Sequence, residues 1–121
     1  MAEVSARVEA WKLAWESRDA ARVAALYAPD STHESALVPQ IYPELGRTTL
    51  HGPAEITEYA RRGLARYREL RFAIISVVES GDRAAVEYRR HSNLDGANPK
   101  HVMELIEWRG DLIAAVRVFH F

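Results

Sequence analysis

The chain has 121 residues, 16 of them basic and 17 acidic, for a formal net charge of −1. That length fits one domain with an ordinary core, and the charge balance gives no electrostatic case for a nucleic acid or a membrane surface as partner. The absence of cysteine excludes disulfides and thiolate metal sites, no run approaches the roughly 20 apolar residues that span a bilayer, and the opening MAEVSARVEA lacks the apolar core of a secretion signal, so a soluble, cytoplasmic single domain over residues 1–121 is expected.

Val4, Val8, Trp11 and Trp15 recur at helical spacing and predict a first helix with one buried stripe. Asp19 is placed to cap a short second helix. Val23, Leu26 and Tyr27 form its inner face, and Pro29 ends it near Ala28. Residues 31–38, STHESALV, read as a short strand. From Pro39 to Leu50 two prolines and a glycine predict a loop, with a short extended piece at Arg47–Leu50. Gly52-Pro53 opens a third helix. Its stripe is Ile56, Tyr59, Ala60, Gly63, Leu64 and Tyr67, while Arg61, Arg62, Arg66 and Arg68 read as its solvated face.

The remainder is strand-like. FAIISVVE, RAAVEYRR, HVMELIEW and LIAAVRVFHF are separated by turn signals at Ser80-Gly81-Asp82, Asp95-Gly96 and Gly110-Asp111. Short connections between such runs predict an antiparallel meander. Three helices in the N-terminal half followed by that meander give an α+β fold, with helices against one face of a mainly antiparallel sheet.

Alternation within the strands nominates a site. His33 and Ser35 share one face of their strand, and Glu34 the other. The unperturbed pKa of histidine, about 6.5, suits His33 to proton transfer. Glu104 interrupts HVMELIEW on the face that carries Val102, Ile106 and Trp108. A carboxylate there must pair, meet water, or take up a proton; Arg89 and Arg117 are candidate partners. Tyr88 lies with Ala84 and Val86 on the apolar side of its strand, within reach of Glu104 or a ligand. Ala114, Val116, Val118 and His120 share a face of the last strand. The five histidines are scattered, with no HxH or HExxH spacing. Phosphate-cradling glycine loops and a GxSxG elbow are also absent. A pocket without metal or cofactor is the expectation. His51 reads as support for the third helix and His101 as an ordinary strand start.

The segments AWESRDAARVAALYAPDSTHES, GRTTLHGPAEITEYARRGL and IEWRGDLIAAVRVF carry a family pattern. Together with the order of elements, the chain resembles the nuclear transport factor 2-like superfamily, in its SnoaL-like and ketosteroid isomerase-like branch. The resemblance covers nearly the whole chain. It implies a cystatin-like cone of three helices and a curved sheet around an apolar pocket, with the outer sheet face forming a dimer. Where ketosteroid isomerases hold the proton-removing carboxylate, this chain has Ser35. Glu104 falls where those enzymes keep a neutral acid that stabilises a developing oxyanion. Trp11 falls near their oxyanion-binding tyrosine, and the face of Val116 and His120 lines the cone.

The expected function is a cofactor-independent enzyme for proton-transfer chemistry on an oxygenated hydrophobic small molecule, of isomerase, dehydratase or cyclase type. His33 would act as base and Glu104 with Tyr88 would stabilise negative charge, with His120 as a second acid/base group. Trp11, Trp15, Tyr27, Ser35, Tyr59, Ile106 and Val116 would line the pocket, and Tyr42 would lie over its mouth. The alternative is a module of the same fold that binds a hydrophobic ligand or dimerises without catalysis. A homodimer would form through Met103, Leu105 and Phe119, with Arg117 and Glu107, on the outer face.

Overall fold

The computed structural model describes residues 4–121; Met1–Glu3, the start of the segment read above as no secretion signal, lie outside the described residues. Helix α1 (Ala6–Glu16) begins at Ser5, whose hydroxyl accepts the Val8 N–H, and buries Val8, Trp11 and Trp15 as the stripe requires. Helix α2 (Ala20–Ala24) is capped by the Asp19 carboxylate, which accepts the N–H groups of Ala21 and Arg22.

Here the chain departs from the expectation. Helix α2 ends at Ala24, and strand β1 runs from Tyr27 to Glu34 instead of over 31–38. Pro29 is no helix terminator; it sits inside β1, in the register break between Tyr27 and Thr32 where the ladder to the neighbouring strand is interrupted. A residue without an N–H costs nothing there. Tyr27 therefore belongs to a strand, not to a helix face. The expected loop also holds structure: helix α3 is a single turn (Val38–Ile41), followed by a 3₁₀ turn (Pro43–Leu45). Pro39 is the second residue of α3 and Pro43 the first of the 3₁₀ turn, both in the opening turn where a missing N–H goes unused. The extended piece is strand β2 (Thr49–His51).

Helix α4 (Gly52–Leu64) starts where Gly52-Pro53 indicated. Gly52 has φ +78°, and a Cβ there would stand 3.1 Å from the Pro29 carbonyl oxygen, so both conformation and space call for glycine. The His51 side chain makes no cap. Instead Glu55 accepts the His51 N–H at 2.7 Å and grips the Arg47 guanidinium through two bonds of 2.7 Å.

Strands β3 (Leu70–Ser80), β4 (Arg83–Ser92), β5 (Lys100–Arg109) and β6 (Leu112–His120) form the expected antiparallel meander. Strand β6 then pairs parallel with β1, and β1 antiparallel with β2, giving one curved six-stranded sheet in the order β2-β1-β6-β5-β4-β3. The fold is α+β. The core lies between the helices and the inner face of the sheet. There Phe72 stacks on Tyr88 at 4.4 Å, and Trp11 packs on both rings, at 5.4 and 5.5 Å. Among the described residues, no helix is long and apolar enough to cross a membrane.

Candidate active site

A cavity of about 70 Å³ opens between the inner sheet face and the second half of α4. His33, Ser35, Tyr88, Glu104 and His120 all line it, drawn from four strands and the turn after β1. Trp15 and Tyr59 reach it from the helices. The other expected lining residues do not: Trp11, Tyr27, Ile106 and Val116 are buried core behind the wall. Tyr42 does not lie over the mouth. Its ring is covered by the Arg62 guanidinium at 4.3 Å, and Arg62 is itself tied to Glu44 and Glu58.

Glu104 stands in a cross-strand row between Val86 and Val118, so alternation forces its carboxyl inward. It is 5% exposed. Arg89 and Arg117 are exposed, on the opposite face, and neither neutralises it. The Tyr88 hydroxyl donates to Oε2 at 2.5 Å. Oε1 is buried without a hydrogen-bond partner. Loss of water pushes the carboxyl up to about 7, against the opposing pull of the Tyr88 hydroxyl and the nearby Trp11 indole. The Trp11 N–H stops short of hydrogen-bonding geometry. Burial and the Glu104 charge raise the Tyr88 phenol well above its ordinary value, so it keeps its proton and donates.

His33, 3% exposed, is surrounded by rings: Tyr59 at 5.7 Å, Trp15 and Tyr27 at 6.1 Å. Burial lowers it to about 4, so the imidazole is neutral at neutral pH. Its Nδ1 lies 3.1 Å from the Tyr27 hydroxyl. Burial foremost, then the charge of Glu104, holds the Tyr27 proton in place. With Tyr27 as donor to Nδ1, the imidazole proton resides on Nε2.

Ser35 and His120, 85 positions apart, meet with Oγ and Nε2 at 3.2 Å, and Ser35 Oγ also accepts the Leu37 N–H at 3.1 Å. No spacing rule in the sequence signals such a pair. Pairing of His120 with Val102, and a bond from the Phe121 N–H to the His101 carbonyl, tie down the chain end. Burial, then the Arg90 charge, lowers the His120 pKa. His101 bonds Glu87 at 2.6 Å on the outer face.

Val118 lines the wall from the face of β6 expected to do so, and Arg90, Phe72 and Leu70 on the sheet, with Arg66 and Tyr67 after α4, join it without having been expected there. Alternation identifies Arg90, two residues beyond Tyr88 on the same strand. Nothing comparable marks Arg66, which sequence pattern assigns to a solvated face. No group of three or more metal-ligating side chains converges among the described residues.

The architecture is shared widely. The chain is 22% identical to a SnoaL-like protein of unknown function from Burkholderia thailandensis (TM-score 0.76, 93% of this chain and 89% of that one covered). It is 20% identical to a protein with a ketosteroid isomerase-like fold from Catenulispora acidiphila, solved in complex with trimethylamine (TM-score 0.77, 97% and 86% covered). It is 18% identical to TerC, co-crystallised with polyporic acid (TM-score 0.75, 95% and 88% covered). At these identities the likeness shows the fold alone. No curated protein matches the sequence. The model of the SnoaL-like domain matches residues 8–116, nearly the whole length, and the chain belongs to that family.

Proposed function

We propose that this chain is a cofactor-independent enzyme that moves a proton on a small, oxygenated, hydrophobic molecule, by isomerase, dehydratase or cyclase chemistry. One observation carries the reading: Oε1 of Glu104 is buried, unpartnered and set in a cavity wall. A carboxyl poised near 7 exchanges protons efficiently at neutral pH. The roles expected from the sequence then change. A histidine lowered to about 4 is a weak base, so Glu104 takes the proton, and His33 offers its Nε2–H to the oxygen that gains negative charge. In an isomerisation, Oε1 accepts a proton from the carbon next to a carbonyl and the electron pair moves into the carbonyl. The resulting carboxylic acid returns the proton to a different carbon. Tyr88 holds the carboxyl in place, and Tyr59 supplies a further hydroxyl at the wall.

The test is exchange of α-hydrogens for deuterium, followed by NMR, across a panel of cyclic enones and hydroxyketones. For the substrate that responds, Glu104→Gln should lower kcat by about 10²-fold or more. Undiminished exchange in that variant discards the assignment.

A second reading, ligand binding without chemistry, draws support from Ser35. It provides no carboxylate, and its hydroxyl is already engaged by His120 and Leu37. A small molecule released from the purified protein and untransformed on long incubation would favour it. On the outer face, Val78, Ala85 and Leu105 form one cross-strand row, and Glu87, Met103 and Phe119 another. We propose that a second copy of the chain covers this surface, where Val78 is 66% exposed.

A further inference from the structure

We propose that the cavity receives a molecule with an apolar body and one anionic group, a carboxylate or phenolate, and that the anion seats at the rim on Arg66 and Arg90. This rests on the reading of the cavity as the substrate site and names the substrate class.

Both arginines line the cavity, and both guanidinium carbons lie against one ring, 5.1 and 5.7 Å from the centre of Tyr67. Arg66 is held in a defined pose: its Nε donates to the Gly63 carbonyl at 3.1 Å and its Nη2 to the Tyr67 hydroxyl at 3.2 Å. Among the described residues no carboxylate lies within ion-pair distance of it. Arg90 has one acidic partner, Asp95, at 3.3 and 3.4 Å. Charge-assisted bonds usually run about 2.7–2.9 Å, and the neighbouring Arg47–Glu55 and Arg62–Glu44 forks fall near that range, at 2.6–2.9 Å. Asp95 also accepts the Ser92 hydroxyl at 2.8 Å, which divides its charge. Arg90 thus has one loosely held acid, outside the cavity wall, and Arg66 has none among the described residues.

The wall offers nothing else to balance them. Among the described residues Glu104 is its only carboxyl group, and burial favours the neutral form. A planar anion at the rim could accept bonds from both guanidinium forks. Its apolar body would then lie over Leu70, Phe72, Val102 and Val118, directed toward Glu104. The rim contact would set which carbon meets Oε1.

Benzoate and benzamide, equal in shape and different in charge, provide the test, by NMR titration of the whole chain. Benzoate should bind about tenfold tighter or better than benzamide at low salt, from the strength of hydrogen bonds to charged groups. Added sodium chloride should erode the difference. Arg66→Gln, at an exposed position, and Arg90→Lys, which keeps the charge and loses the fork, should each weaken benzoate and leave benzamide unchanged. Equal affinity for the two probes, binding of neither, or a preference that survives the double variant overturns the proposal. Glu104→Gln separates this claim from proton transfer, because it should bind benzoate undiminished. Turnover that survives that variant beside an intact benzoate preference removes only the catalytic reading. Equal affinity beside Glu104-dependent turnover removes only the anion seat.

Discussion

Glu104 and His33 are two ionisable side chains buried on one sheet face, and burial drives their pKa values in opposite directions. The Glu104 value rises from 4.5 to about 7 on folding. Its stabilising contribution is therefore complete below about 4.5 and is lost as pH climbs through 7. The His33 value falls from 6.5 to about 4. Its contribution is complete above about 6.5 and is lost as pH falls through 4. Between 4.5 and 6.5 the two slopes oppose each other. We expect urea unfolding of Glu104→Gln, compared with wild type, to show a relative stability gain that grows by up to about 3 kcal/mol from pH 4 to pH 8. A pH-independent difference would mean that the carboxyl is solvated. Tyr88→Phe removes the bond that favours the ionised form, so the Glu104 carboxyl should titrate above 7, visible as an infrared C=O stretch that persists to higher pH. A titration shifted downward would show that the phenol is not its donor.

Short elements place these groups, and their ends carry unusual constraints. The entry to α4 depends on Gly52, whose positive φ strains any side chain and whose Cβ would stand 3.1 Å from the Pro29 carbonyl oxygen, a tight contact. Gly52→Ala should cost about 2 kcal/mol or more in chemical denaturation; a neutral result would mean that β1 and α4 separate easily there. Glu55 completes the same start by holding Arg47 and the His51 N–H. Glu55→Ala should cost about 1 kcal/mol. Helix periods, turn glycines and strand alternation were legible because they depend on neighbours a few positions apart. The boundary at Tyr27 was not, since a proline ending a helix and a proline inside a broken ladder look alike until the partner strand is present.

For the molecule as a whole, the sheet has two faces with different fates. The inner face is closed by helices around the cavity, while the outer face leaves Val78, Leu105, Met103 and Phe119 in rows across four strands. If a second copy covers them, sedimentation at micromolar concentration should give a dimer, and Leu105→Arg should give a monomer with its fold retained. A wild-type monomer at that concentration would end the proposal. The benzoate preference belongs to this scale too, because its two arginines come from β4 and from the turn after α4 and meet only at the Tyr67 ring.

From sequence pattern alone, the α+β class and the meander followed, and alternation put His33 with Ser35 and Glu104 with Val102 and Ile106 on one face of their strands, while the pocket-lining face of the Tyr88 strand stayed open. Each of these assignments follows from a backbone period of about 3.6 or 2 acting on a strongly apolar or strongly polar side chain. The tertiary structure decided which inward groups meet. It left Glu104 without a cation, joined Ser35 to His120 across 85 positions, and brought Arg66 and Arg90 to one ring. Such meetings depend on strand order and on where a helix ends against the sheet. Those are set by packing between distant segments, and no local spacing encodes them.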